Sequence, residues 1–73
     1  MKKIDFHGAT VDEAVRDLEK IIGEIRLQGK TEAYCLITGR GAIQAALMDL
    51  LQNYGLEPYI PMANSGEIQV EIY

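Results

Sequence analysis

The segment Glu32-Ala33-Tyr34-Cys35-Leu36-Ile37-Thr38-Gly39-Arg40-Gly41-Ala42 reads as a strand that breaks at a glycine loop and restarts as a helix. Residues 33–37 are apolar almost without interruption, which suits a strand covered at least partly on both faces. The pattern predicts a strand over 32–38, then a helix over 42–54 with Ile43, Leu47, Leu50, Leu51 and Tyr54 turned inward. Gly55 supplies its stop.

Upstream, Lys2 to His7 reads as a short first strand, with Ile4 and Phe6 on one face and Lys3, Asp5 and His7 on the other. Gly8-Ala9 turns the chain, and Thr10-Val11-Asp12-Glu13 is a capping box that opens a helix. Val11, Ala14, Val15, Leu18, Ile21, Ile22 and Ile25 recur at steps of three and four and form its apolar stripe. Arg26 lies in its last turn and Gly29 ends it. Downstream, residues 57–62 carry both prolines and are expected as an edge strand. Ala63-Asn64-Ser65-Gly66 is a turn by composition. Strict alternation over 67–72 makes a last strand with one buried and one wet face.

The predicted order is βαβαββ, an α/β two-layer sandwich with a four-stranded mixed sheet and two helices on one face. The first two strands, joined through a helix, should run parallel with a right-handed crossover. As neighbours they would bring both strand-to-helix loops to the same rim.

The whole chain fits this scale. Its 73 residues make a single domain over 1–73, with 48% hydrophobic and 25% charged residues. No apolar run approaches a membrane span, and Met1-Lys2-Lys3 leads into no apolar segment of the kind a signal peptide needs. With one cysteine, Cys35, no internal disulfide can form, so a reducing, cytoplasmic setting is expected. The net charge is −4, and all seven basic residues fall at or before Arg40. Residues 41–73 hold Asp49, Glu57, Glu67 and Glu71 and no lysine or arginine. That distribution speaks against non-specific coating of polyanions and leaves room for a small local basic site.

The residues with chemistry to offer meet at the predicted rim. Asp5, His7 and Gly8 come from the first loop; Thr38, Gly39, Arg40 and Gly41 come from the second. Glycines let a ligand approach the backbone, free amides at a helix start favour an anion, and an arginine grips phosphate with two bonds. His7 has the chemistry of a general acid or base near neutral pH, with Asp5 to orient it. Together they describe a phosphodiester site. Each part also has a plainer reading: Gly-x-Gly as turn geometry, His7 as a cap on a neighbouring carbonyl, Asp5 as an acceptor for loop amides. Cys35 reads as a core residue, and one histidine with one cysteine excludes a structural zinc site. Tyr34 and Tyr54 are expected in the core or at its rim, and Tyr59 and Tyr73 partly buried at sheet edges.

Asp5-Phe6-His7-Gly8 before a capped helix, then Ile37-Thr38-Gly39-Arg40-Gly41 opening a second, resembles the Smr (small MutS-related) domain over essentially all 73 residues. The resemblance implies a two-layer fold like the C-terminal domain of a bacterial translation initiation factor. It also implies nucleic-acid binding with endonucleolytic nicking of DNA or cleavage of RNA, often within a larger repair or RNA-processing protein. On that likeness Asp5 and His7 occupy the acidic and histidine positions of the first motif. Thr38, Gly39 and Gly41 form the second, with Arg40 at its variable position. The chain departs from the family where helix two reads Ala42-Ile43-Gln44-Ala45-Ala46-Leu47-Met48-Asp49, without the usual basic residues, and where the later glycine turn shrinks to Asn64-Ser65-Gly66.

Two functions therefore stand side by side. One is an endonuclease in which Asp5 and His7 are catalytic and Gly8, Thr38, Gly39, Arg40 and Gly41 bind branched or single-stranded DNA or RNA weakly. A divalent metal ion at Asp5 is an option there, and no organic cofactor is expected. The other is a non-catalytic module for nucleic acid, or for a protein partner met by the acidic second half.

Overall fold

In a computed structural model that describes residues 1–73, the chain forms β1 (Lys2–Asp5), α1 (Val11–Gln28), β2 (Glu32–Ile37), α2 (Ala42–Asn53) and β3 (Glu67–Ile72). β1 pairs parallel with β2, Lys3 opposite Cys35 and Asp5 opposite Ile37. β3 pairs antiparallel with β2 on its other side, Cys35 opposite Gln69 and Ile37 opposite Glu67. The C-terminal ends of β1 and β2 and the start of β3 thus share one rim.

The sheet has three strands, ordered β1-β2-β3, where four were expected. Residues 57–62 do run along the outer edge of β3, but they touch it through a single antiparallel bridge between Tyr59 and Gln69. The reason is local. Backbone groups alternate in direction along a strand, so Tyr59 and position 61 face β3, and Pro61 has no amide hydrogen to donate there. β1 and β2 also end earlier than the sequence suggests, at Asp5 and Ile37, so His7 comes from a turn and does not share a strand face with Asp5.

Both helices cover one face of the sheet. Leu18, Ile22 and Ile25 of α1, Leu47 and Leu51 of α2, and Tyr34, Leu36, Ile68, Val70 and Ile72 of the strands join Phe6, Ala14 and Leu56 in one core. Burying a side chain of this size is worth about 1.5–3 kcal/mol, and a chain this short needs every one. The opposite face carries Lys3, Asp5, Glu71 and the half-open Gln69, with Cys35 covered among them.

The ends of the helices are fixed by the residues that the pattern singled out. Thr10 accepts from the Glu13 amide at 3.1 Å, and Glu13 accepts from the Thr10 amide at 2.8 Å, which completes the capping box. At the other end the amides of Gly29 and Lys30 bond to Arg26 and Ile25. Arg26 goes further. Its guanidinium donates to the carbonyls of Tyr54 and Tyr73 at 3.0 Å each and lies 5.1 Å over the Tyr54 ring, so it ties α1 to the ends of α2 and β3.

Candidate nucleic-acid interface

The rim is assembled by main-chain bonds that join three segments. Phe6 donates to the Ile37 carbonyl at 2.9 Å, carrying the β1–β2 pairing one residue past the strand. Ala9 donates back to Phe6 at 3.0 Å and closes the first loop. Across the rim, the amides of Thr38 and Gly39 both donate to the Gly66 carbonyl at 2.9 Å. The Thr38 hydroxyl donates to the Gly39 carbonyl at 2.8 Å, and the Gln44 amide group donates to the Ser65 carbonyl at 2.9 Å. Asn64 in turn holds the Glu67 carboxylate at 2.8 Å.

The turn at 64–66 is therefore a structural part of the glycine loop. Its proximity to Gly39 was not legible: Asn64-Ser65-Gly66 reads as a connection, and only the antiparallel return of β3 brings it beside the loop. Gln44 also belongs to the site, and a lone amide side chain in the first turn of an apolar helix is the sequence signal for such bonding to a neighbouring loop.

Each predicted site residue has a definite place. Asp5 accepts the backbone amide of His7 at 2.8 Å, so its carboxylate braces the main chain of the first loop and is not bonded to the imidazole. This is the plainer of its two readings. His7 is exposed, and its ring makes no hydrogen bond or ion pair, so it does not cap a carbonyl. Gly8 and Gly39 stand at φ 84° and 72°, the left-handed region that favours glycine, and turn the chain after each strand. Thr38 is half-buried and serves the loop, while Arg40 and Gly41 are exposed. Arg40 has no carboxylate partner: the ion pair in the structure, Lys2 with Glu32 at 3.2 Å, lies at the other end of the strands.

The two helix starts at this rim differ in a way that matters for an anion. The first turn of α1 carries Asp12 and Glu13, and its free amides are partly satisfied by Thr10. The Glu13 carboxyl is held below its ordinary range, chiefly by the hydrogen bond from the Thr10 backbone. α2 begins at Gly41 with no side-chain cap and no acid in its first turn. Its leading amides and the positive end of its dipole face outward beside Arg40, the combination that attracts phosphate.

Other chemistries have less to work with. No group of three or more histidine, cysteine, aspartate or glutamate side chains gathers to hold a metal ion. Burial pushes the Cys35 thiol up, with Glu67 adding to the effect, so little thiolate is present near neutral pH. No helix is long and apolar enough to cross a membrane. The surface has two depressions, one lined by Glu57, Tyr59, Glu71 and Tyr73, the other by Ile4, Asp17, Lys20, Ile21 and Glu24. The rim residues line neither of these hollows, whereas an enclosed small-molecule site needs a concave pocket.

Comparison with known proteins bears on this directly. The sequence model described as the Smr domain matches residues 4–67, which span both loops and both helices and stop at the first residue of β3. Among solved structures, the Smr domain of MutS2 from Thermus thermophilus superposes with a TM-score of 0.74 at 22% identity, covering 100% of this chain and 99% of that one. At that identity the likeness speaks for the fold. No curated protein matches the chain.

Proposed function

The chain belongs to the Smr domain family, and from that premise we propose that its glycine-loop rim binds the phosphodiester backbone of DNA or RNA. Smr domains are in general nucleic-acid-binding, nuclease-like modules. The observation that carries the proposal is the uncapped, acid-free start of α2 beside an unpaired Arg40 and the free imidazole of His7. A phosphate seated there would take hydrogen bonds from the loop and helix amides and a charged pair of bonds from Arg40. With few basic residues nearby, binding is weak, with branched or single-stranded nucleic acid as the expected target.

Cleavage is the finer part of the proposal. His7 would take the proton of the attacking oxygen or deliver one to the leaving oxygen, and Arg40 with the amides of α2 would stabilise the charge that builds on phosphorus oxygens. Asp5 would act through the loop, by holding the His7 backbone in place. A divalent ion fits poorly as a resident group, because Asp5 is a lone donor already bonded to the His7 amide. The test is a cleavage assay on stem-loop RNA and on branched DNA. His7→Ala is expected to lower the rate by roughly 10²–10⁴ while binding persists; an unchanged rate in a clean preparation would end this mechanism.

One feature favours the second reading, a binding module without catalysis. The Asp5 carboxylate serves the main chain of His7 and leaves the ring unoriented. On that reading the parent chain binds the same oligonucleotides and cleaves none of them. Either way, the domain would deliver nucleic-acid contact to a larger repair or RNA-processing assembly.

A further inference from the structure

The sheet edge far from the glycine loops has a different character. Gln69 and Tyr59 exchange both main-chain bonds, at 2.9 and 2.8 Å, so the backbone groups of Gln69 point away from β2. In an antiparallel ladder this direction alternates, so those of Glu71, two residues on, also point outward. Continued pairing would set Glu57 opposite Glu71. It does not form. The two segments diverge there, and the gap is a depression of about 330 Å³ lined by Glu57, Tyr59, Glu71 and Tyr73.

The lining is chemically one-sided. Tyr59 and Tyr73 are 55% and 53% exposed, against the partial burial expected of them. Tyr59 is fixed by its hydroxyl, which donates to Gln69 Oε1 at 2.6 Å. Glu57 and Glu71 are exposed, and neither has a basic partner. The basic residue at this end of the sheet, Arg26, donates to the carbonyls of Tyr54 and Tyr73 and forms an ion pair with neither glutamate. Two aromatic walls with two carboxylates suit a cation, above all a guanidinium, which stacks on a ring face while pairing with carboxylate. Nucleic acid is repelled by the same charges. Ile60 and Met62 are also exposed on the adjoining segment. The unpaired main-chain groups of Glu71 suit an extended peptide.

We infer that this cleft is a docking site for an arginine-bearing extended segment of a protein partner, with the arginine seated between Tyr59 and Tyr73 and paired to Glu57 and Glu71. The site is separate from the glycine-loop rim and stands or falls without it.

The experiment is an NMR titration of the 73-residue chain with the capped peptide Val-Arg-Val-Arg-Val, alongside Val-Glu-Val-Glu-Val and a single-stranded oligonucleotide. The arginine peptide is expected to shift Glu57, Tyr59, Glu71 and Tyr73. The double variant Glu57→Gln, Glu71→Gln is expected to bind it roughly tenfold more weakly, with the rest of the spectrum unchanged. Four results would overturn the inference: no shift with the arginine peptide, equal binding of the glutamate peptide, unchanged affinity in the double variant, or stronger shifts of these residues by the oligonucleotide.

Discussion

At the level of single residues, the rim separates groups that build the loop from groups left free to act. Asp5 and Thr38 are spent on backbone bonds, while His7 and Arg40 point chemistry outward. The sequence marked all four and could not sort them, because whether a carboxylate bonds to a ring or to an amide depends on where the strand stops. β1 stops at Asp5, two residues earlier than alternation suggests, and that puts the His7 amide against the Asp5 side chain. Arg40→Ala is therefore expected to weaken oligonucleotide binding and to lower the slope of log K against log salt by about one unit. Binding measured at several salt concentrations checks this. Glu13 gives a pH effect of known sign. Its carboxyl titrates lower in the folded chain than in the unfolded one, so its contribution is present above the ordinary carboxylate range and is lost as pH falls through the lowered folded value. Glu13→Gln keeps the reach-back bond without the charge, so denaturation of this variant should lose less stability between neutral and acid pH than that of the parent.

At the level of elements, the two helices and the three strands were legible because periodicity marks each of them, reinforced at α1 by its caps. The stripe of α1, the capping box at Thr10 and the alternation of β3 all appear where the pattern puts them. The fourth strand was not, since composition marks residues 57–62 as extended but cannot say whether two prolines leave enough donors for a ladder. One bridge is what remains. The contact between the loop at 38–41 and the turn at 64–66 was equally hidden, being a consequence of the antiparallel return. It yields a contrast between two glycines. Gly39 stands at φ 72°, so Gly39→Ala should cost about 1–2 kcal/mol and disturb the start of α2. At Gly66 a methyl group would meet the nearest atom, Gly39 Cα, at 3.5 Å, an ordinary contact with no unfavourable φ. Gly66→Ala should therefore be nearly neutral. Chemical denaturation of the two variants separates the cases, and a costly Gly66→Ala would mean the loop and turn pack more tightly than described.

For the whole molecule, one core stabilises everything the rim does. Leu36 lies at the centre of the middle strand with no exposed surface, between Ile4 and Ile68. Leu36→Ala should cost about 2–5 kcal/mol, a large share of the 5–15 kcal/mol that a domain of this kind has. Thermal unfolding followed by circular dichroism would show a steep loss, whereas Arg40→Ala should unfold like the parent. The division of charge is also a property of the whole chain: basic residues end at Arg40, and of the four acids that follow, Glu57 and Glu71 line the far edge of the sheet. The central claim is that the glycine-loop rim is the surface that meets phosphate. It is tested most directly by following the backbone amides while stem-loop and single-stranded oligonucleotides are added at about 50 mM and then about 200 mM salt. The account predicts shifts at Gly8, Gly39, Arg40, Gly41 and the first residues of α2 that fade at the higher salt. An absence of shifts at the lower salt, or shifts elsewhere that ignore salt, would contradict it.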